Sequence, residues 1–338
     1  MQNMEINAMA ALNRRENLVP WKYAETEVKE YDILIDIICC GVCYSDIHMI
    51  DNDWGSSKYP LVPGHEIIGI VRECGNSVTH LRKGDKVGVG WQRSSCLTCE
   101  TCLAGNENMC SVNYHATIVN HHGGYATSIL TDSRFAFKIP EGMDSYKTAP
   151  LLCGGITVYS GLKIAGMTSG QEIGVIGLGG LGHMAVLFAK SLGNKVTVFT
   201  TSEDKEEFAI TKLGANNVIN TKNEIPRNLS SSLDVIINTV DHPLPWQNYI
   251  RLLREDGTLC FVGNPGDLNV PISLLLGKRR RIMGSPIGGR ARIREMLLVA
   301  NKFNVNPFIQ KFPLNDVNDA LKNLRENKIR FRAVLVNK

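Results

Sequence analysis

The sequence has 338 residues, enough for two domains with full cores, and 43% apolar with 21% charged residues is the balance of a globular protein. A net charge of +4 is small for that length and gives no reason to expect a nucleic-acid partner. No run approaches the ~18 apolar residues of a membrane span, and the N-terminal MQNMEINAMAALNRREN lacks the apolar core of a signal peptide, so a cytoplasmic protein without a membrane partner is expected.

Residues 1 to about 90 read as all-β. Ile33, Ile35 and Ile37 alternate, Ile67 to Val71 and Val87 to Val89 are further short runs, and Tyr59-Pro60, Pro63-Gly64 and Gly84-Asp85 punctuate them. A Greek-key-like or barrel-like module fits this pattern. Within it lie Cys43, in GVCYSDIH, and His65, in Gly64-His65-Glu66. A soft thiolate and an imidazole on separate loops suit zinc if a third ligand comes from elsewhere, and Cys153 in APLLCGG is the candidate. Three protein ligands would leave the fourth zinc position open, as catalysis requires. Taken singly, each of the three has a plainer reading as a buried cysteine or a core histidine. Cys39, Cys40, Cys74 and Cys260 lie in or beside β runs and are assigned to packing.

Cys96, Cys99 and Cys102 follow at intervals of two intervening residues, and Cys110 comes after seven more. Four thiolates this close can form a tetrahedron around zinc with no open position, which makes a structural site. An iron–sulfur cluster is the other chemistry that such spacing allows. Crowded rather than scattered cysteines in a chain this long point to metal binding in a reducing compartment.

From Cys153 to about Gly284 strands and helices alternate, the pattern of a doubly wound parallel sheet. The apolar run Ile173, Val175, Ile176 ends in Gly177-Leu178-Gly179-Gly180-Leu181-Gly182, and a helical pattern through Ala185, Phe188 and Leu192 follows at once. This is the dinucleotide fingerprint in its strand–turn–helix context. Gly177 makes the tight turn, Gly179 admits a pyrophosphate, and Gly182 lets helix and strand pack closely, while the helix N-terminus offers free amides to phosphate. The second strand, Val196 to Phe199, ends in Thr200-Thr201-Ser202 with Lys205 beyond, where an NAD site wants an acidic residue. Three hydroxyls and a cation suit a 2′-phosphate, so NADP(H) is expected, although Glu203 and Asp204 stand close by.

Further on, a helix through Phe208 to Leu213, Val218-Ile219, a buried strand Leu233 to Asn238, a helix Trp246 to Leu253 and a strand Thr258 to Val262 are expected, with Thr239 and Gly263 at strand ends facing the cofactor. The basic run Lys278 to Arg281 reads as a solvated loop or edge. In the tail, Met296 to Asn301 and Val317 to Leu324 read as helices and Arg332 to Val336 as a strand, too few elements to fold alone, so the tail should return to the first domain.

With these motifs assembled, the whole chain resembles the zinc-dependent medium-chain alcohol dehydrogenases. Within them it is most similar to the cinnamyl-alcohol-dehydrogenase-like branch and its bacterial NADPH-dependent aldehyde reductases. GVCYSDIH at 41–48, YPLVPGHEIIG at 59–69, the cysteine lobe at 96–110, APLLCGGITVY at 149–159, GLGGLG at 177–182 and IRFRAVL at 329–335 carry the resemblance. It implies an α/β protein: a GroES-like β-rich catalytic domain from residues 1–150 and 285–338, and a Rossmann domain, 151–284. Cys43, His65 and Cys153 would hold a catalytic zinc, with Glu66, water or substrate as the exchangeable fourth ligand. Cys96, Cys99, Cys102 and Cys110 would hold a structural one. Ser45 and His48 would relay the proton, and Asp46 would orient the zinc ligands. Thr157, the 177–182 turn, Thr200, Thr201, Ser202, Lys205, Thr239, Gly263, Ser285 and Ile287 would contact NADP(H).

Tyr44 replaces the basic residue common at its position in that superfamily, and Pro286 replaces an aromatic one of the plant lignin enzymes, which favours a broad aldehyde range. Trp54, Trp91 and Ile287 are candidates for an apolar substrate wall. The small-molecule partner is an aldehyde or alcohol, and the resemblance implies a homodimer or homotetramer. An NAD(H)-dependent dehydrogenase of the same superfamily, a zinc-free or non-catalytic relative, and a zinc-ribbon nucleic-acid binder are the alternatives.

Overall fold

The computed structural model describes residues 4–25 and 27–337. The chain divides into two compact units: Met1–Cys153 with Gly288–Asn301 and Asn306–Lys338, and Gly154–Ile287 with Lys302–Val305.

In the first unit a sheet runs in the order Ile309–Pro313, Arg332–Val336, Asp32–Val42, Ile67–Cys74, Lys86–Val89 and Ala136–Lys138, and Ser128–Asp132 also pairs with Asp32–Val42. The alternation Ile33, Ile35, Ile37 marks the central strand, but its burial is nearly continuous, since Leu34 is also buried. Each such aliphatic side chain contributes about 1.5–3 kcal/mol when fully buried. The tail returns here: Arg332–Val336 lies antiparallel to Asp32–Val42 with Ala333 opposite Val42 and Leu335 opposite Cys40.

One element departs from the all-β expectation for this stretch. Tyr44–Asp51 is an α-helix, with Cys43 as its N-cap. Cys43 and Asp46 form a reciprocal capping box in which a thiol stands where Ser or Thr is usual, so the start signal is easy to miss. Ile47, Met49 and Ile50 bury one side of the helix in the core, and Asn52 ends it with φ 53°.

The second unit is a six-stranded sheet ordered Asn217–Asn220, Lys195–Thr200, Glu172–Ile176, Leu233–Asn238, Leu253–Phe261, Arg281–Gly284, with every pairing parallel. Val175, Val198, Ile236, Ile237 and Leu259 are fully buried, the near-continuous apolar run of strands covered on both faces. The Gly182–Ser191 helix follows the glycine turn. The basic run has its charges engaged: Lys278 pairs with Glu255 and Arg279 with Asp256, while Arg280 donates to the Leu253, Leu274 and Arg251 carbonyls. Arg281 opens the edge strand.

Candidate active site

Asp46 organises the first cluster. Its carboxylate is fully buried and accepts four hydrogen bonds: from the Cys43 N–H at 2.9 Å, the Gly64 N–H at 2.9 Å, His65 Nδ1 at 2.9 Å and the Tyr125 hydroxyl at 3.1 Å. Two oxygens with two lone pairs each are thereby filled, which is how a buried carboxylate is tolerated. Because the carboxylate only accepts, His65 Nδ1 carries a hydrogen, and in the neutral imidazole that a metal binds Nε2 keeps its lone pair. That nitrogen lies 3.2 Å from Cys153 Sγ, which lies 3.9 Å from Cys43 Sγ. Cys43 begins the Tyr44–Asp51 helix, His65 and Glu66 precede the Ile67–Cys74 strand, and Cys153 ends the Ala149–Leu152 turn.

Ligand atoms of Cys43, His65, Glu66 and Cys153 all lie within 4.8 Å of one another. Two thiols, an imidazole lone pair and a carboxylate form a donor set that suits zinc. The electrostatics agree. The hydrogen bond with Cys153 holds the Cys43 thiol well below its usual range, with His65 and Arg332 adding to the effect; the same bond and burial push Cys153 well up. A divalent cation replaces the proton that such a pair shares. Glu66 is fully buried and pushed up to about 7 by desolvation, against the Arg332 guanidinium that pairs with Oε1. Its Oε2 has no hydrogen-bond partner among the described residues. Gly41 makes room for it, since a Cβ there would sit 1.9 Å from Oε2.

His48 projects from the same helix, and its Nδ1 lies 2.8 Å from Asp53 Oδ2. The left-handed turn at Asn52 swings Asp53 back over the helix end, where its N–H also caps the His48 carbonyl at 2.9 Å. The hydrogen bond from His48 holds the Asp53 carboxyl below its usual range. Ser45 is half-buried one residue before Asp46. Trp54 packs 5.2 Å from the His48 ring and 5.9 Å from Trp91, and Trp91 stands edge-on to His65 at 4.9 Å. The two tryptophans thus lie beside both the imidazole dyad and the thiol cluster.

The second cluster is Cys96, Cys99, Cys102 and Cys110, with sulfurs 3.5 Å (Cys96 to Cys110), 3.8 Å (Cys96 to Cys102) and 4.0 Å (Cys99 to Cys110) apart. Backbone N–H groups of Thr98 and Cys99 bring Cys96 down to about 6. Glu107, almost fully buried, ties this lobe to the Arg290–Lys302 helix by accepting from Arg290 Nε at 2.7 Å and from its backbone N–H at 3.2 Å. Among the described residues the cluster has these four thiols and no further ligand, which makes a closed site.

The family model "alcohol dehydrogenase GroES-like domain" matches residues 29–141, and "zinc-binding dehydrogenase" matches residues 180–302. Aldehyde reductase AdhA of Synechocystis is 39% identical over 98% of both chains. Cinnamyl alcohol dehydrogenase 8 of Arabidopsis thaliana is 40% identical over 98% of this chain and 95% of its own. The chain belongs to the zinc-binding alcohol dehydrogenases, in their cinnamyl-alcohol-dehydrogenase-like branch. Its reaction class is alcohol–aldehyde oxidoreduction. Among solved structures, a cinnamyl alcohol dehydrogenase of Sorghum bicolor superposes with a TM-score of 0.91 at 34% identity, covering 98% of each chain. The Helicobacter pylori enzyme complexed with NADP(H) does so with 0.89 at 34% identity, covering 99% of each.

In the second unit this dehydrogenase places its expected cofactor residues around the strand ends. Gly177, Thr200, Thr239, Gly263 and Ser285 stand at or just beyond the carboxyl ends of five neighbouring parallel strands. Gly177 has φ 87°, and a Cβ on Gly182 would come 2.0 Å from the Gly177 oxygen, so both glycines are sterically required. A Cβ on Gly179 would meet nothing within 4 Å, which leaves the cradle that a pyrophosphate needs. The Thr239 hydroxyl donates to the Ile176 carbonyl at 2.8 Å. Leu178 is buried, whereas Gly180 and Leu181 lead into the helix. Thr200 Oγ1 accepts from the Ser202 N–H at 3.2 Å, Thr201 is exposed and Lys205 half-exposed, and Glu203 is drawn aside by Asn220 Nδ2 at 3.3 Å. Thr157 lies on the Gly154–Ile164 helix, and Ile287 ends the longer of the unit's two segments.

Sequence reasoning gave no site role to Arg332, Tyr125, Gly41 or Asp53. Gly41 and Arg332 lie in the GVCYSDIH and IRFRAVL motifs, and Asp53 follows His48 by five residues behind a helix-ending Asn52, but the contacts of Arg332 and Tyr125 come from elements that only the sheet brings together.

Proposed function

We propose that this chain is an NADP(H)-dependent zinc enzyme that interconverts primary alcohols and aldehydes and acts as a broad-range aldehyde reductase. The observation that carries it is the gathering of Cys43, His65, Glu66 and Cys153 within 4.8 Å, with a histidine whose free nitrogen is fixed by a buried carboxylate. Cys43, His65 and Cys153 would hold a catalytic zinc and Cys96, Cys99, Cys102 and Cys110 a structural one. Bound there, the zinc would supply Lewis acidity and the nicotinamide the hydride chemistry.

The protein's own groups do the rest. Asp46 keeps His65 in the ligating tautomer. Glu66, balanced by Arg332, stands ready as an exchangeable ligand. Ser45 and His48 move the proton between substrate oxygen and solvent, and Asp53 stays ionised, accepts the hydrogen bond from His48 Nδ1–H and orients the imidazole. Trp54 and Trp91 wall the substrate side with apolar surface and exclude water. Thr200, Thr201, Ser202 and Lys205 hold the 2′-phosphate, and the tie between Glu203 and Asn220 keeps one competing carboxylate occupied. Thr157, the 177–182 turn, Thr239, Gly263, Ser285 and Ile287 hold the remainder of the cofactor. Tyr44 offers only a hydrogen bond where a cation is common, so the pyrophosphate relies on the glycine turn. The NADP(H) complex of the Helicobacter pylori relative supports the cofactor reading.

The enzyme would work in the reducing cytoplasm, where its thiolate ligands survive. It would form a homodimer or homotetramer, since the edge strand Arg281–Gly284 and the exposed Ile272 and Leu276 nearby offer a surface to a second copy. A screen of aliphatic and aromatic aldehydes and alcohols with NADPH, NADH and their oxidised forms tests the proposal. Turnover of several aldehydes with NADPH at least tenfold better than with NADH is expected; NADH preference, or no turnover of any aldehyde, contradicts it.

A further inference from the structure

His183 is the second residue of the Gly182–Ser191 helix and is fully buried. Its Nδ1 lies 3.1 Å from the Gly179 carbonyl oxygen, and its backbone N–H reaches the same oxygen at 3.1 Å. A carbonyl only accepts, so Nδ1 carries a hydrogen and donates. Gly179 therefore has its carbonyl held twice by one residue, four positions ahead.

The direction of that carbonyl matters because a trans peptide is planar and sets its N–H opposite to its C=O. With the Gly179 oxygen drawn toward the helix, the Gly180 N–H faces the other way, out beyond the helix N-terminus. The two outer glycines of the turn are locked by contact: Gly177 against Val240 and Thr239, and Gly182 against the Gly177 carbonyl. Gly179 has no such lock, with nothing within 4 Å of where its Cβ would be. Two consecutive glycines are also the most freely rotating pair that a chain can contain. Sterics fix the ends of the turn, and the imidazole fixes its middle.

We propose that His183 is a positioning residue of the cofactor site, whose Nδ1–H locks the Gly179–Gly180 peptide so that the free amides at the helix start are aimed at the dinucleotide pyrophosphate before it arrives. The inference rests on the dinucleotide reading of the 177–182 turn. His183 acts through the peptide and touches no cofactor atom. Its effect falls on the pyrophosphate, which NADPH and NADH share, and so it differs from Lys205, whose effect should fall on the 2′-phosphate alone.

The test is direct titration of the zinc-loaded protein with NADPH and, separately, NADH, read by nicotinamide fluorescence. His183→Leu keeps apolar volume without a donor, and His183→Asn keeps a donor at the Nδ1 reach without the volume. His183→Met takes the place of His183→Leu should the latter not fold. Wild type binds both nucleotides; the donor-less variant is expected to bind both about fivefold more weakly, the value of one lost hydrogen bond. His183→Asn should recover to within about twofold of wild type. Wild-type affinity in His183→Leu, equal weakening in the Leu and Asn variants, or weakening confined to NADPH would overturn the inference. Failure of wild type to bind either nucleotide would instead remove the dinucleotide reading beneath it.

Discussion

Asp46→Asn is the most informative single change, because the amide keeps the shape of the carboxylate and alters only who donates. Each Asp46 oxygen faces two donors: Oδ1 the Gly64 N–H and His65 Nδ1, Oδ2 the Cys43 N–H and the Tyr125 hydroxyl. The asparagine must turn its NH2 toward one pair. Facing His65, it drives the proton from Nδ1 to Nε2 and removes the lone pair aimed at Cys153. Facing Tyr125, whose hydroxyl can rotate and accept, it leaves the Cys43 N–H unsatisfied at a cost of about 1–3 kcal/mol and loosens the helix start that carries Cys43. Either way a zinc ligand loses its orientation, and changes to such supporting groups weaken metal binding by roughly 10–100-fold. Chelator competition at fixed free zinc, followed with a chromogenic indicator, should show one of two zinc ions leaving Asp46→Asn at far lower chelator concentration than in wild type. Turnover should fall in proportion. Wild-type zinc retention with wild-type turnover would refute the reasoning about the His65 tautomer.

Lys205→Ala should raise the KM for NADPH about tenfold or more and leave that for NADH within about twofold, from the loss of a charge-assisted contact; equal effects would mean that the 2′-phosphate is not read there. Asp53 has its carboxyl below the usual value of 3.8, so it is ionised above that pH and its bond to His48 is lost only as pH falls through the lowered value. Asp53→Asn should therefore slow alcohol oxidation by about three- to tenfold from pH 6 to 9 with zinc content unchanged, and an unaltered rate across that range would mean that Asp53 does not orient His48. Glu107→Gln leaves the Arg290 guanidinium without its carboxylate. It should lower the melting temperature and speed loss of the four-cysteine zinc without touching the other ion; a melt and metal-release rate equal to wild type would mean that the lobe needs no such tie.

Much of the architecture could be read from local pattern. Val235-Ile236-Ile237 is an apolar run within the strand Leu233–Asn238, and the fingerprint glycines sit between a strand and a helix, so the parallel sheet announces itself. The four-cysteine lobe is legible because its donors are local in sequence. The helix Tyr44–Asp51 was hidden by its unusual thiol cap and by only eight residues of length. The Arg290–Lys302 helix begins six residues before the expected Met296, because Arg290, Arg292 and Arg294 mask the spacing of Ile293, Met296, Leu297 and Ala300. The strand Leu253–Phe261 also begins earlier than Thr258, since Leu253 pairs with Leu233 across a bulge. Within the candidate site, the Cys43, His65, Cys153 trio was nameable from residue type and strengthened by resemblance, whereas its supports arise from chain crossings. Arg332 meets Glu66 only because the tail strand lies beside Asp32–Val42, and Tyr125 meets Asp46 only across the first unit's core.

X-ray absorption at the zinc edge on wild type, Cys43→Ser and Cys99→Ser tests the central claim most directly. The account predicts about two zinc ions per chain in wild type, one ringed by four sulfurs and one by two sulfurs with nitrogen and oxygen donors. Cys43→Ser should then change only the mixed site and abolish turnover. A single all-sulfur site in wild type, unchanged by Cys43→Ser, would contradict it.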